Sequence, residues 1–154
     1  MHILFVCTGN TCRSPMAEAI TRRLIAQRGL SDMHVESAGT SAWPDAPASD
    51  GALLVALERG MDLSMHRARQ LSPEIVAGAD LIFTMGPHHL ERVQALGGMG
   101  RAHLVTAYAG NDPRPVSDPF GGDLGVYRAT AEELEQEISA ILDKVAADRA
   151  NPSR

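Results

Sequence analysis

The run Cys7-Thr8-Gly9-Asn10-Thr11-Cys12-Arg13-Ser14-Pro15 carries a thiol, a glycine-bearing loop, a guanidinium and a hydroxyl in an order suited to holding a phosphate against a nucleophile. Thiolate attack on a phosphate monoester needs directional positive donors for the equatorial oxygens. Arg13 supplies a planar fork, and the loop amides of Thr8, Gly9, Asn10, Thr11, Cys12 and Ser14 supply further donors. A cysteine at the mouth of such a loop, beside a helix N-terminus, is expected to have a lowered pKa and to act as a nucleophile. Together these residues predict a cysteine-dependent phosphatase.

Expelling a poor leaving group also requires a proton, hence a carboxylic acid across the pocket. Asp118-Pro119-Phe120-Gly121-Gly122 offers the best candidate, with the proline stiffening the backbone behind the aspartate. Asp112-Pro113 is a weaker competitor earlier in the same stretch.

The elements around these residues alternate between short apolar runs and helical periodicities, which predicts an α/β domain with a parallel sheet covered on both faces. Ile3-Leu4-Phe5-Val6 reads as a buried strand, and Ser14-Pro15 as the N-cap and first position of a helix ending near Gly29. That helix N-terminus favours an anion. A second strand is expected over 33–37, closed by Ala38-Gly39, and a loop over 43–50. A helix over 51–59 should turn Leu54, Val55 and Leu57 inward, and Ser72-Pro73 should open a shorter one. Leu81-Ile82-Phe83-Thr84 reads as the third strand, 88–96 as a helix and 102–106 as a fainter fourth strand. Residues 107–122, rich in proline and glycine, form a long loop. Thr130-Ala131-Glu132-Glu133 looks like a capping box opening a last helix with the stripe Leu134, Ile138, Ile141, Leu142 and Val145. Open parallel sheets bind ligands beyond the carboxyl ends of their strands, which is where the Cys7 loop lies.

At 154 residues the chain forms one domain, expected over 1–147, with 148–154 as a disordered tail. A net charge of −5 without a basic run argues against nucleic acid, and no apolar stretch is long enough for a membrane span. No signal peptide is visible, and two cysteines inside one loop do not make a secreted disulfide framework, so the expected location is cytoplasmic. His88-His89 reads as ordinary helix-start residues rather than a metal pair, and His2, His34 and His103 as surface or strand-end residues. No metal or other cofactor is expected, because Arg13 and the amides can carry the charge.

Over nearly its whole length the sequence resembles the low-molecular-weight protein tyrosine phosphatase family. The matching segments are Cys7 to Pro15 with Met16-Ala17-Glu18, then Ser37-Ala38-Gly39-Thr40, Leu63 to Leu71, and Asp118-Pro119. The resemblance implies a flavodoxin-like fold of four parallel strands with helices on both faces. It implies Cys7 as the nucleophile forming a phosphocysteine, Arg13 as the oxyanion binder and Asp118 as acid and then base. It also implies that Asn10, Ser37 and His66 hydrogen-bond one another to support the loop. In similar proteins a second loop cysteine can pair reversibly with the nucleophile. Cys12 therefore has a redox reading beside that of a small loop-filling residue.

Tyrosine-directed members usually carry bulky apolar residues where this loop has Thr8 and Thr11, and paired tyrosines after Asp-Pro. Thr11 with Asp-Pro-Phe-Gly-Gly instead resembles the bacterial protein arginine phosphatases of the same family. The expected rim comprises Thr11, Trp43 and Phe120, and phosphoarginine in a protein or peptide is slightly favoured over phosphotyrosine. Trp43 could stack on a phenyl ring or a guanidinium, and Tyr127 lies near the acid loop or caps the last helix. Phosphotyrosine specificity, arsenate reduction with a small-molecule thiol and a non-catalytic phosphate-binding module remain as alternatives. A monomer or weak dimer is expected, with no nucleic-acid or membrane partner.

Overall fold

Strand β1 (His2–Cys7) sends alternate side chains to opposite faces, as a strand's period of two dictates. Ile3, Phe5 and Cys7 enter one apolar cluster, while Leu4 and Val6 enter another. A strand buried on both sides therefore reads as one apolar run, and that is the signal by which the sequence announced it. The computed structural model describes residues 1–150.

From β1 the chain runs through helix α1 (Arg13–Arg28), β2 (His34–Gly39), α2 (Asp50–Glu58) and α3 (Pro73–Ala77). Next come β3 (Leu81–Thr84), α4 (Pro87–Val93), β4 (Ala102–Leu104), α5 (Val105–Tyr108) and α6 (Leu124–Ala150). The four strands form one parallel sheet in the order β2-β1-β3-β4, with Cys7 opposite Gly39 and Val6 opposite Thr84. Helices α1, α2 and α6 pack on the Phe5 face, and α3 and α4 on the Leu4 face. This is the three-layer α/β architecture expected. Because β2 lies on one side of β1 and β3 on the other, the carboxyl end of β1 is the topological switch point where such sheets open a crevice.

The boundaries differ from expectation in ways with physical causes. Helix α1 begins at Arg13 with Cys12 at the N-cap, so Ser14 and Pro15 sit inside its first turn. It ends as expected, with Gly29 left-handed at φ 67°. Helix α2 buries Ala52, Val55 and Ala56, leaving Leu54 and Leu57 exposed. Its small-residue face is the one that approaches its neighbours, because a Cβ on Gly51 would come within 2.5 Å of the Tyr127 ring. The helix after β3 starts at Pro87 and widens into a π-type turn over Gln94–Gly98, broken by Gly97 at φ 103°. The expected fourth strand stops at Leu104, and its last residues form α5.

The largest difference lies in α6, which starts at Leu124, six residues before the expected capping box. Asp123 caps it, accepting a bond from the Val126 amide at 3.0 Å. Thr130 is consequently a buried interior residue whose hydroxyl bonds the Ser117 carbonyl at 3.4 Å. The stripe Leu134, Ile138, Ile141, Leu142 and Val145 is buried as expected. The helix continues to Ala150, three residues into the expected tail, and the rest of that tail lies outside the described residues.

Candidate active site

Residues 7–13 turn from the end of β1 into α1 around Asn10, whose φ of 57° places it in the left-handed region that asparagine tolerates. Asn10 is fully buried and its polar groups are used from several sides. Its Nδ2 donates to Ser14 Oγ (2.8 Å) and Ser37 Oγ (2.9 Å), and its Oδ1 accepts the Arg69 amide (3.0 Å). Its backbone carbonyl lies 2.7 Å from His66 Nε2, and since a carbonyl only accepts, that nitrogen carries the proton. Ser37 and His66 thus both support the loop, through Asn10 rather than through each other. Ser37 passes its own proton to Glu18 at 2.7 Å. Outside the loop, Thr40 and Ser41 amides bond the Cys7 and Thr8 carbonyls, each at 2.9 Å. This close approach requires glycine at position 39, because a Cβ there would lie 2.4 Å from the Thr8 carbonyl oxygen.

Ser14 does not cap the helix; it serves the thiol. Its Oγ accepts from Asn10 and lies 2.8 Å from Cys7 Sγ; toward a thiolate, which can only accept, the Ser14 hydroxyl is the donor. A donor aimed at the sulfur stabilises thiolate. Burial works against it and is the largest influence, pushing the Cys7 thiol above its ordinary value. The Ser14 hydroxyl and amide, the Arg13 charge and the Asn10 amide pull in the other direction. The expected lowering is therefore corrected: the lowering groups are in place, but enclosure outweighs them.

Arg13 is buried, with Nη1 donating to the Val116 carbonyl at 3.1 Å and Nη2 lying 3.5 Å from Asp118 Oδ2. Asp118 is 54% exposed at the cavity edge, and its Oδ1 accepts the Phe120 amide at 3.1 Å across Pro119. The late loop thus bends so that one carboxylate oxygen is fixed by its own turn and the other faces the guanidinium. Cys7, Thr8, Gly9, Thr11, Cys12, Arg13, Asp118 and Phe120 line a cavity of about 260 Å³. Trp43 is 82% exposed and is not among these lining residues. Asp112, the competing acid, is likewise absent from the lining.

Cys12 and Cys7 are both free thiols. Cys12 Sγ lies 3.2 Å from Ser49 Oγ and 3.4 Å from the Tyr127 hydroxyl, with those two oxygens 3.1 Å apart. Tyr127 is therefore a buried strut against the loop and not a cap of α6. The sequence reading also missed His89. It is fully buried in the first turn of α4, with Nε2 2.8 Å from Thr8 Oγ1. The available signal was topological: His89 follows β3, and β3 lies beside β1, so the first turn of α4 must end near Cys7. Among the described residues no three His, Cys, Asp or Glu side chains cluster as metal ligands would.

A thiol with a hydroxyl donor, a helix N-terminus, a buried guanidinium and a carboxyl across a cavity can bind a phosphoryl group, attack it and protonate what leaves. Known proteins resemble the chain over nearly its whole length. The Bacillus subtilis protein-arginine-phosphatase is 36% identical over 151 residues, covering 97% of this chain and 99% of that protein. A probable low molecular weight protein-tyrosine-phosphatase EpsP of Ralstonia solanacearum is 44% identical over 145 residues, covering 94% and 96%. A solved structure of the YwlE arginine phosphatase, a C7S mutant with a phosphorylated active-site serine, superposes with a TM-score of 0.91 at 34% identity, covering 97% of this chain and 99% of that one. The family model described as low molecular weight phosphotyrosine protein phosphatase matches residues 2–151, and the chain belongs to that family.

Proposed function

We propose that the protein is a phosphatase of phosphorylated protein residues, working through a phosphocysteine and preferring phosphoarginine. The carrying observation is one cavity lined by Cys7 and Arg13 of the first loop and by Asp118 of the late loop, with Ser14 2.8 Å from the thiol and Arg13 3.5 Å from the Asp118 carboxylate. Cys7 first gives up its proton to solvent, the Ser14 hydroxyl, Arg13 and the loop amides holding the resulting charge; the thiolate then attacks phosphorus, forming the S–P bond as the bond from phosphorus to the leaving atom breaks. Asp118, as a carboxylic acid, gives that atom its proton. Arg13 and the loop amides hold the equatorial oxygens throughout. The Asp118 carboxylate then takes a proton from the attacking water, the S–P bond breaks, and inorganic phosphate leaves with Cys7 restored as thiolate.

The preference for phosphoarginine rests on the rim. Thr8 and Thr11 present hydroxyl-bearing side chains to the cavity where an aryl group would seek apolar walls. Asp118 can pair with a guanidinium as well as protonate its nitrogen. Relatives named protein-arginine-phosphatases match 97% and 94% of the chain. Phe120, exposed at the cavity edge, favours the second reading, phosphotyrosine, since it could stack on a phenyl ring. A cytoplasmic location belongs to the same proposal and is supported by the two free thiols. Among the described residues no helix is long and apolar enough to cross a membrane.

The deciding experiment measures kcat/KM on matched phosphoarginine and phosphotyrosine peptides, and traps phosphocysteine by rapid acid quench. A phosphocysteine burst with a phosphoarginine preference is expected. A strong phosphotyrosine preference would reverse the substrate assignment, and absence of any burst would reject the mechanism.

A further inference from the structure

Thr8 lines the cavity immediately after the nucleophile, and its hydroxyl is tied to a residue from outside the loop, His89 Nε2 at 2.8 Å. The other nitrogen of that ring, Nδ1, is buried with no hydrogen-bond partner among the described residues. It faces the bare backbone of Gly86, where a Cβ would stand 3.5 Å away, and the His88 ring lies 3.8 Å from the His89 ring. The charged and titratable groups that act on the imidazole are His88, Arg13 and Asp118. Burial, His88 and Arg13 together lower its pKa to about 3, against the opposing pull of Asp118. The ring is therefore neutral at any pH at which the cavity would work.

A neutral imidazole that faces no reacting atom is not a proton carrier. Its geometry does something else: it fixes the rotamer of Thr8. Threonine can present either its hydroxyl or its methyl in a given direction, and χ1 settles into one of three wells. The bond to His89 selects the well that turns Oγ1 to the ring in a residue that lines the cavity. The hydrogen-bond capacity left over follows from either tautomer. If Nε2–H donates, Oγ1 retains one lone pair and its proton; if Nε2 accepts, Oγ1 retains both lone pairs. In both cases Thr8 keeps an acceptor for whatever enters.

We propose that His89 is a positioning residue that sets substrate choice, holding Thr8 Oγ1 as an acceptor so that the cavity selects a cationic leaving group rich in N–H donors over an aryl one. The inference rests on the reading of Cys7 and Asp118 as a phosphatase site. An aryl group covering Thr8 would leave the remaining acceptor lone pair of Oγ1 unused and desolvated, whereas a guanidinium supplies a donor to it. Electrostatics point the same way. A protonated histidine here would repel a guanidinium, and a neutral one does not.

The test compares kcat/KM for phosphoarginine and phosphotyrosine peptides in wild type, Thr8→Val, His89→Phe, His89→Gln and the double variant Thr8→Val/His89→Phe. Thr8→Val keeps the side chain's shape, and His89→Phe keeps the ring without its nitrogens. The arginine-to-tyrosine ratio is expected to fall about tenfold or more in each single variant, by the rough worth of one unpaired buried polar group. The double variant should fall no further, and His89→Gln, whose amide can still reach Thr8, should recover part of the ratio. The alkylation rate of Cys7 by iodoacetamide checks that the nucleophile stays intact. An unchanged ratio in Thr8→Val, or equal losses on both substrates in His89→Phe with no recovery in His89→Gln, would overturn the proposal and leave His89 a packing residue. If His89→Phe does not fold, Thr8→Val decides alone. A wild type that hydrolyses both peptides while these variants keep its ratio would sink this inference only; a wild type that forms no phosphocysteine would sink the phosphatase reading with it.

Discussion

The side chain that changes meaning most between sequence and structure is Ser14. As a neighbour of proline it looked like a helix cap. In the fold its hydroxyl lies 2.8 Å from Cys7 Sγ and is the donor whenever that sulfur is a thiolate. Removing it should push the Cys7 thiol further in the direction burial already pushes it. Ser14→Ala is expected to raise the midpoint of the pH dependence of iodoacetamide alkylation by about one unit, since one hydrogen bond to the charged form is lost. An unchanged midpoint would mean the hydroxyl does not serve the thiolate. Cys7→Ser should abolish turnover while leaving the thermal midpoint nearly unchanged; retained hydrolysis would remove Cys7 as the nucleophile. Asp118→Ala should cost about 10²- to 10⁴-fold in kcat, most for substrates with basic leaving groups. A small, uniform loss across leaving groups would reject Asp118 as the acid. That Cys7, Arg13 and Asp118 would meet at one cavity was legible, because thiol, guanidinium and carboxyl are the residue types that a phosphate-cleaving site would need. His89 and Tyr127 were not, because each acts through another loop residue, and such roles leave no spacing signature in the chain.

Among the elements, β1 and β3 were legible because strands buried on both faces read as short, nearly continuous apolar runs, and their length, β-branched and aromatic content and flanking loops separate them from buried helix segments. The start of α6 was not. Gly121, Gly122 and Gly125 read as a loop by propensity, yet Asp123 caps the helix and a Cβ at position 122 would press on Val126 at 2.9 Å. A local Asp123 cap outweighed the glycine propensity there. The junction of β2 with the catalytic loop gives the clearest test at this scale. Gly39 lies opposite Cys7 in the sheet, and a Cβ would come 2.4 Å from the Thr8 carbonyl and 3.0 Å from the Asn10 amide nitrogen. Both contacts are backbone, which cannot swing aside. Gly39→Ala is therefore expected to destabilise the fold by about 2 kcal/mol or more, read as a lower urea midpoint at unchanged m-value. It should also depress kcat through distortion of the loop. An alanine variant as stable and active as wild type would show that the loop is looser than this register implies.

On the scale of the whole molecule, the sheet order makes stability and the site share the same groups. Placing β3 beside β1 is what puts the first turn of α4 against the loop, and it also forces a histidine into the interior. Burial holds His89 neutral down to about pH 3, whereas the same side chain in the unfolded chain protonates near its ordinary value of 6.5. Between those two values the unfolded state binds a proton that the folded state refuses. Folding stability contributed by this group is thus fully present above about pH 6.5 and is lost as pH falls toward 3. The slope approaches 1.4 kcal/mol per pH unit for one such proton. Other groups titrate across the same range, so the informative quantity is the difference between wild type and His89→Gln, in which this proton site is absent. Urea unfolding at pH 7.0, 6.0, 5.0 and 4.5 should show wild type losing stability faster than His89→Gln by about 1 kcal/mol per unit below pH 6. The two curves should run parallel above pH 7. If they stay parallel throughout, the folded imidazole protonates as readily as the unfolded one. The neutral ring that positions Thr8 would then not exist.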